Sequence, residues 1–273
     1  MAEYDGVNTD TSSYSGISVI TINRPDRKNA VDPLTAKALY QAILVFEDDP
    51  KQKVCVLTGA GSSFCAGADL HSVAQSNSDT PGDNLQPIIG HNLGPMGPSR
   101  LIIKKPVICS ISGYAVAGGL ELSLLADMRV VEEDAVFGVY CRRRGVPLID
   151  GGTVRLQAIV GLGRALDMVL TGRPVSAQEA LTMGLASRLV PKGESLKEAI
   201  RIARQLITFP ELCLNTDRQS YYYSAYEASS FQDAISQEFN AGSKVISQEA
   251  IAGAAKFSKG SGRHGSFKDH NKL

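Results

Sequence analysis

The sequence has no excess of either charge, because 28 Lys and Arg residues balance 28 Asp and Glu residues. Proteins that bind nucleic acid usually carry a clear positive excess, so the overall charge does not support that class of function. No apolar run approaches the roughly 20 residues of a membrane-spanning helix. The N-terminus is polar and acidic and lacks the pattern of a signal peptide. We therefore expect no nucleic-acid partner and no membrane partner.

Cysteine and histidine are too few and too scattered to suggest a disulfide framework or a metal centre. The five cysteines form no Cys-x-x-Cys pair, and the chain has four histidines. An odd number of cysteines without regular spacing is typical of reduced thiols inside a cell. We therefore predict a cytoplasmic protein without a metal site.

Short runs rich in Val and Ile alternate with helical patterns up to about residue 190. The predicted strands are Ser18–Asn23, Val54–Thr58, Val107–Ser112, Met128–Val131 and Val136–Gly138. The predicted helices are Asp32–Phe46, with Asp32 as the N-cap and Pro33 as the first residue, and Gly118–Ala126. This alternation predicts an α/β core over residues 17–191, after a polar N-terminal tail at residues 1–16.

The last part of the chain has helical patterns and no strand pattern. The predicted helices are Ser195–Ile207, Ala225–Asn240 and Ser247–Phe257. They predict a C-terminal α-helical region over residues 192–258, followed by a basic tail at residues 259–273. Residues 72–100 are dense in Ser, Asn, Gly and Pro, and a loop of that length is typical of a lid, a binding loop or disorder.

The stretch "GYAVAGGLELSLLAD" has two adjacent glycines and a lone glutamate inside an apolar helical pattern. Glycine weakens a helix, and an unpaired buried carboxylate is costly. Two such departures so close together indicate a functional site. If the helix begins near Gly118, its first N–H groups have no intrahelical acceptor and lie at the positive end of the helix dipole. Glu121 then shares a helix face with Gly118.

A second turn, in "SSFCAGADL", contains the small residues Ala66-Gly67-Ala68, which leave backbone N–H groups open to a ligand. Two N–H groups from separate turns could bind one carbonyl oxygen and stabilise an enolate. A carboxylate beside them could transfer a proton at the neighbouring carbon. The leucines around Glu121 would desolvate it and raise its pKa. Spacing alone supports an alternative equally well, a packing turn beside a capped or ion-paired Glu121.

Four segments of the chain resemble the crotonase superfamily, the enoyl-CoA hydratase/isomerase family. They are "TINRPDRKNAVD", "SSFCAGADL", "KPVICSISGYAVAGGLELSLLADMRV" and "LTGRPVSAQEALTMGLASRLVP". The resemblance runs from about residue 17 to residue 260. It implies a spiral of ββα units with a helical C-terminal region, assembled as a homotrimer or a dimer of trimers. It also implies an acyl-CoA substrate and no cofactor, since coenzyme A is part of that substrate.

The resemblance assigns specific residues to the thioester and to coenzyme A. It implies an oxyanion hole formed by the backbone N–H groups of Ala68 and Gly118. The adenine of coenzyme A would lie against backbone carbonyls around three residues, namely Ala66, Asp69 and Leu70. Its phosphates would approach Arg27 or Lys28, for which ordinary loop charge is the alternative.

One position departs from the hydratase pattern. Hydratases of this family place two glutamates around one water, and the first matches Glu121. The second falls on Cys141, whose thiol cannot hold and activate water as a carboxylate does, so we expect it to be a pocket wall. The nearest acid is Asp150, before Gly151-Gly152, as in the naphthoate synthase branch. Asp150 is therefore predicted as a catalytic carboxylate, as the N-cap of a helix starting near Gly152, or as both.

The sequence thus predicts an enzyme that acts on an acyl-CoA thioester through an enolate. Hydration or dehydration of the α,β bond is the first hypothesis. The alternatives are a double-bond isomerase, a C–C hydrolase or lyase of the same fold, and a non-catalytic protein that binds acyl-CoA or RNA. The final "NKL" resembles the peroxisomal address "SKL", so peroxisomal import is the alternative location if the source is a eukaryote.

Overall fold

The computed structural model of the protein describes residues 5–75 and 85–259. Its strands are β1 (Val7–Asp10), β2 (Ile17–Ile22), β3 (Val54–Gly59), β4 (Val107–Ile111), β5 (Tyr114–Val116), β6 (Met128–Glu132), β7 (Val136–Gly138), β8 (Val175–Ser176) and β9 (Arg188–Val190). Its helices are α1 (Pro33–Asp48), α2 (Leu70–Gln75), α3 (Gly118–Ser123), α4 (Gly152–Val160), α5 (Leu162–Thr171), α6 (Ala177–Thr182), α7 (Ser195–Leu206), α8 (Glu211–Tyr226), α9 (Phe231–Val245) and α10 (Ile251–Ser258). The chain divides into two compact units, and the boundary in the sequence lies between Ala203 and Arg204.

The first unit contains a six-stranded sheet with the order β1-β2-β3-β4-β6-β9. Its neighbouring strands are parallel except for β1 and β2, and Leu57 of β3 lies opposite Cys109 of β4. A smaller sheet has the order β5-β7-β8. The central strands β3 and β4 are buried along nearly their whole length, as is usual for a parallel sheet covered on both faces. Both lead into the glycine-rich turns. These turns therefore lie beyond the carboxyl ends of parallel strands, where ligand sites usually form.

The α/β core and the C-terminal helical region are confirmed. The five predicted strands correspond to β2, β3, β4, β6 and β7, with ends that differ by at most one residue. Strand β1 was not predicted, since it lies in the segment assigned to a polar tail. Its four side chains are exposed or half-buried, so no hydrophobic alternation marks it, and it pairs with β2 through the backbone.

Helix α1 begins as predicted, with the Asp32 side chain accepting the Thr35 N–H at 2.8 Å. Helix α7 confirms the predicted helix that begins at Ser195. The single helix predicted over Ala225–Asn240 is wrong, because α8 ends and α9 begins within it. Ser230 makes the break: its side chain accepts the Asp233 N–H at 3.1 Å and caps α9.

The second unit contains α8, α9 and α10, and none of the described residues in these helices is buried. Large apolar side chains on them are exposed, including Tyr221, Phe231 and Phe239. Exposed apolar surface on this scale commonly marks an interaction site. Within residues 5–75 and 85–259, no helix has both the length and the apolar character needed to cross a membrane. The predicted basic tail at residues 259–273, with its possible peroxisomal address, lies outside the described residues from residue 260 onward.

Candidate active site

The two glycine-rich turns pack directly against each other. The Val116 N–H donates to the Cys65 carbonyl at 3.1 Å, and the Cys65 N–H donates to the Tyr114 carbonyl at 2.9 Å. Gly67 has a φ of 98°, and a Cβ at this position would lie 2.9 Å from the Gly118 nitrogen. Position 67 therefore requires glycine both for its backbone conformation and for the close approach of the second turn.

Neither the Ala68 N–H nor the Gly118 N–H donates a hydrogen bond to any described part of the chain. Gly118 is the first residue of α3, so its N–H has no intrahelical acceptor. At the other turn, Val31 bonds to the Gly67 carbonyl and to the Asp69 N–H, which leaves the N–H of the residue between them directed away from Val31. These two predicted donors are thus brought into adjacent turns with both N–H groups available.

Ala117, immediately before α3, has a φ of 54°, which a residue with a side chain rarely adopts. Its N–H donates to the Gly138 carbonyl at 2.8 Å, which ties this turn to β7. Backbone strain of this kind is concentrated at functional sites, where the surrounding structure holds it in place. The contacts that hold Ala117 in this conformation therefore fix the start of α3 and the direction of the Gly118 N–H.

Glu121 is only 3% exposed, and its Oε1 accepts two backbone N–H groups, from Asp150 and from Gly152, both at 2.9 Å. Oε2 accepts no hydrogen bond from residues 5–75 and 85–259. Burial, followed by the nearby charge of Asp150, raises the pKa of Glu121 to about 7. One oxygen is thus fixed and the other is free, on a carboxyl group that can exchange a proton near neutral pH.

Gly152 lets the backbone of α4 approach this carboxylate. A Cβ at Gly152 would lie 2.8 Å from Oε1 of Glu121 and 2.8 Å from its Cγ. Such distances are too short for a real side chain, so any other residue would displace the carboxylate. The sequence predicts a helix that starts near Gly152, and it gives no sign that this glycine holds Glu121 in place.

We expect Gly152→Ala to lower kcat by about 10²-fold, because small displacements of a catalytic group can cost that much. The variant should stay folded, since alanine favours a helix. Steady-state kinetics and thermal unfolding measure the two effects. Gly163→Ala in α5 is the matched control, because a Cβ there meets no atom of residues 5–75 and 85–259 within 4 Å. Wild-type kcat in Gly152→Ala would show that the Glu121 position does not depend on this glycine.

Asp150 does not cap α4, so that part of the prediction is wrong. The N-cap is Gly151, with a φ of 89° and no side-chain bond. The Asp150 side chain turns instead to the preceding loop, where Oδ1 accepts the Met96 N–H at 2.9 Å and the Ser99 hydroxyl. Burial raises the pKa of Asp150, and the bond from Ser99 opposes that effect. Asp150 and Glu121 are nonetheless brought together, through the Asp150 N–H.

Cys141 lies in the 3₁₀ turn Tyr140–Arg144 and is half-buried against the core. Burial, followed by the negative charge of Glu121, raises the pKa of its thiol. The group beside Glu121 is therefore a neutral thiol at physiological pH. A neutral thiol does not act as a base. That Cys141 forms a wall of the substrate pocket stays a prediction.

The predicted coenzyme A residues lie around the first turn. The Ala66 N–H donates to the Lys28 carbonyl at 3.0 Å, whereas the Ala66 carbonyl accepts no bond from the described residues. The Lys28 ammonium lies 5.0 Å from the centroid of the Tyr114 ring. Arg27 is exposed in the 3₁₀ turn before it, and Leu70 is exposed at the start of α2.

Asp69 differs from the other predicted coenzyme A residues because it is buried and ion-paired. Arg24 binds both Asp69 and Asp32 at 3.0 Å and also donates to the Ala30 carbonyl. The Asp69 carbonyl already accepts the Val73 N–H at 3.0 Å. This role of Arg24 could not be predicted from the sequence, since no local pattern shows that it reaches two carboxylates far apart in the chain.

Known proteins are similar to this chain in sequence and in fold. The model of a family described as "Enoyl-CoA hydratase/isomerase" matches residues 12–260. Enoyl-CoA hydratase EchA19 of Mycobacterium tuberculosis is 36% identical over 192 residues, which cover 68% of this chain and 69% of that protein. Carnitinyl-CoA dehydratase of Salmonella typhi is 35% identical over 207 residues, covering 74% of this chain and 75% of the relative.

Solved structures that are similar to this chain are also enoyl-CoA hydratases. Enoyl-CoA hydratase EchA1 from Mycobacterium marinum superposes with a TM-score of 0.83 at 30% identity, covering 94% of this chain and 96% of the other. An enoyl-CoA hydratase from Bacillus anthracis superposes with a TM-score of 0.83 at 26% identity, covering 93% of this chain and 96% of the other. The similarity thus includes both the strand-rich core and the C-terminal helices.

Proposed function

Since the chain belongs to the enoyl-CoA hydratase/isomerase family, with the crotonase fold, we propose that it adds water to an enoyl-CoA or removes water from a hydroxyacyl-CoA. One observation carries the proposal: the N–H groups of Ala68 and Gly118, which have no acceptor among the described residues, lie in adjacent turns, and the carboxylate of Glu121 follows on the same helix as Gly118. The names of the relatives, a hydratase and a dehydratase, support the same reaction.

In the proposed reaction the thioester oxygen accepts both N–H groups. Glu121 takes a proton from water, and the water oxygen bonds to the β carbon. The electron pair of the double bond moves to the α carbon and the thioester oxygen, where the two N–H groups stabilise the enolate. Glu121 then returns its proton to the α carbon: the O–H bond of its carboxyl group breaks, the electron pair of the enolate forms the new C–H bond, and the thioester C=O is restored. Dehydration follows the same steps in reverse.

Isomerisation of the double bond is the second candidate, because Cys141 provides a neutral thiol beside Glu121. A shift of the double bond needs one carboxylate to move a proton between two carbons, and it needs no water. The proposal that Asp150 acts directly on the substrate as a second carboxylate stays a prediction. Its bonds to Met96 and Ser99 indicate a role in holding the loop that contains these two residues.

For coenzyme A we propose that the adenine meets the Ala66 carbonyl, near Asp69 and Leu70, and that Arg27 or Lys28 approaches the phosphates. No further cofactor is assigned. The exposed apolar side chains of α8 to α10 support a homotrimer or a dimer of trimers, in which a second copy would cover them. A cytoplasmic location stays a prediction.

Mass spectrometry of a panel of acyl-CoAs, incubated with the protein in oxygen-18 water and separately in deuterium oxide, tests the proposed reaction. Gain of one labelled oxygen together with two hydrogens supports hydration. Deuterium exchange without gain of water supports isomerisation and overturns hydration. A shortened acyl chain, or no change in any substrate, overturns both.

A further inference from the structure

Asp150 connects the Glu121 carboxylate to the loop that covers Gly118. Its backbone N–H donates to Oε1 of Glu121 at 2.9 Å. Its side-chain Oδ1 accepts the Met96 N–H at 2.9 Å and the hydroxyl of Ser99. Asp150 as a residue is only 4% exposed, so these bonds form away from bulk water. The backbone of Asp150 thus contacts Glu121, and its side chain contacts the loop that contains Met96 and Ser99.

The loop that Asp150 binds is a tight turn. Gly94 and Gly97 exchange two backbone hydrogen bonds, each 2.9 Å long, and place Met96 near the tip. Gly97 has a φ of 78°, and a Cβ there would lie 2.6 Å from the Ala36 carbonyl oxygen of α1. The turn is therefore pressed against α1 and closed by its own backbone. Asp150 adds a further bond to this turn, through the Met96 N–H.

Met96 brings this loop to Gly118. The Met96 residue is 1% exposed, and its Sδ would lie 2.6 Å from a Cβ at Gly118. The thioether therefore packs on the residue whose N–H is open to a carbonyl oxygen. Methionine is flexible, so packing on its own does not define the position of its side chain. The bond from the Met96 N–H to Asp150 restricts that position.

Arg155 of α4 strengthens the same connection. Its Nη1 donates to the Ser99 carbonyl at 2.8 Å and to the Asp150 carbonyl at 3.3 Å, and its Nη2 donates to the Leu101 carbonyl at 3.4 Å. Asp150, which precedes α4, and Arg155, which lies in α4, thus hold residues 96–101 through one carboxylate and one guanidinium. Contacts from two such side chains make the attachment rigid.

We propose that Asp150 is a positioning residue, whose carboxylate fixes Met96 against Gly118 through the Met96 N–H and the Ser99 hydroxyl and does not act on the substrate. The proposal rests on the proposed function, because it assigns importance to Gly118 and Glu121. It changes the role that the sequence suggested for Asp150. A carboxylate near the site holds the loop that shapes the oxyanion hole, and Glu121 alone transfers protons.

The first arm of the test needs no catalytic activity. The protein is labelled with carbon-13 at its methionine methyl groups, of which there are five. Met96→Leu assigns one NMR signal to Met96. We expect that signal to shift or broaden in Asp150→Ala and to stay in place in Asp150→Asn, whose side-chain oxygen still accepts the same bonds. An unchanged Met96 signal in folded Asp150→Ala would overturn the proposal, whatever reaction the protein catalyses.

The second arm compares Asp150→Asn with Glu121→Gln in steady-state kinetics. An amide cannot transfer a proton but can still accept hydrogen bonds. Asp150→Asn should therefore lose much less than the roughly 10²-fold in kcat that removing an acid or base costs. Equal losses in the two variants would overturn the positioning role and make Asp150 a catalytic residue. Ser99→Ala should reduce kcat less than Asp150→Ala does, since one of the two bonds remains.

A pH profile separates the charge of Asp150 from its hydrogen bonds. The charged or titratable groups around Glu121 are Asp150, Arg155 and Cys141. The negative charge of Asp150 raises the pKa of Glu121, so its removal should lower that pKa. The acid limb of kcat/KM should therefore move to lower pH in Asp150→Asn. A limb that disappears would instead show that Asp150 itself titrates as the base, against the proposal.

Discussion

Glu121→Gln should lower kcat by about 10² to 10⁴, the range found for loss of a general acid or base. Glutamine has nearly the same shape, and its oxygen can still accept the N–H groups of Asp150 and Gly152. The fold should therefore persist while proton transfer stops. The measurement is kcat on the acyl-CoA that gives most product in the isotope panel.

Glu132→Gln is the matched control. Glu132 is also buried, but it accepts the Ser195 hydroxyl at 2.8 Å in a separate polar cluster. Glutamine can accept that bond as well, so kcat should stay near the wild-type value. If Glu121→Gln turned over at the wild-type rate, Glu121 would not be the proton-transfer group and the proposed mechanism would fail.

The pH dependence of activity follows from the same residue. As a base Glu121 must be deprotonated, and its pKa is about 7, so kcat/KM for hydration should fall as the pH drops through that value. The raised pKa also means that ionised Glu121 destabilises the fold. The free energy of unfolding falls as the pH rises from 4.5, the ordinary pKa of a glutamate, toward about 7. Glu121→Gln should therefore melt at a higher temperature than wild type at alkaline pH, and show little difference at acid pH.

Gly118→Pro should reduce kcat by about 10² to 10³, the cost of losing one oxyanion-hole donor. Proline has no N–H, and it is tolerated at the first position of a helix. The Gly118 N–H has no acceptor in the described residues, so its removal breaks no internal hydrogen bond. Near-normal turnover by a folded Gly118→Pro protein would place the oxyanion hole elsewhere.

Gly118→Ala controls for the added side chain. Both substitutions bring a Cβ within 2.6 Å of the Met96 Sδ, which is near the flexible end of that side chain. Alanine keeps the N–H and proline removes it. The difference in kcat between the two variants therefore measures the loss of the donor together with the effect of the proline ring on Ala117, and their shared loss measures the displacement of Met96.

Features that depend on nearby residues could be predicted from the sequence. The capping of α1 by Asp32 needs only three following residues, and the buried strands β3 and β4 show apolar runs that end in turn residues. The free N–H at Gly118 follows from the position of two glycines at the start of a helix. Each of these depends on local steric and hydrogen-bonding rules, which a short stretch of sequence records.

Features that depend on distant partners could not be predicted. Asp150 was expected to cap the helix that follows it, yet its side chain binds a backbone N–H 54 residues earlier in the chain. Arg24 reaches Asp69 across 45 residues. A carboxylate next to a helix start is a plausible cap on local grounds, and only the packing of the Met96 loop on α4 reveals a stronger set of donors.

Vibrational spectroscopy of a bound thioester tests the central claim most directly. An unreactive acyl-CoA with carbon-13 in its thioester carbonyl is bound to the protein, and the isotope difference spectrum gives the C=O stretch. Two N–H donors at one oxygen should move this stretch to lower frequency in wild type and in Gly118→Ala, and clearly less in Gly118→Pro. A bound carbonyl that vibrates at its frequency in water in wild type would contradict the proposed site at Ala68 and Gly118.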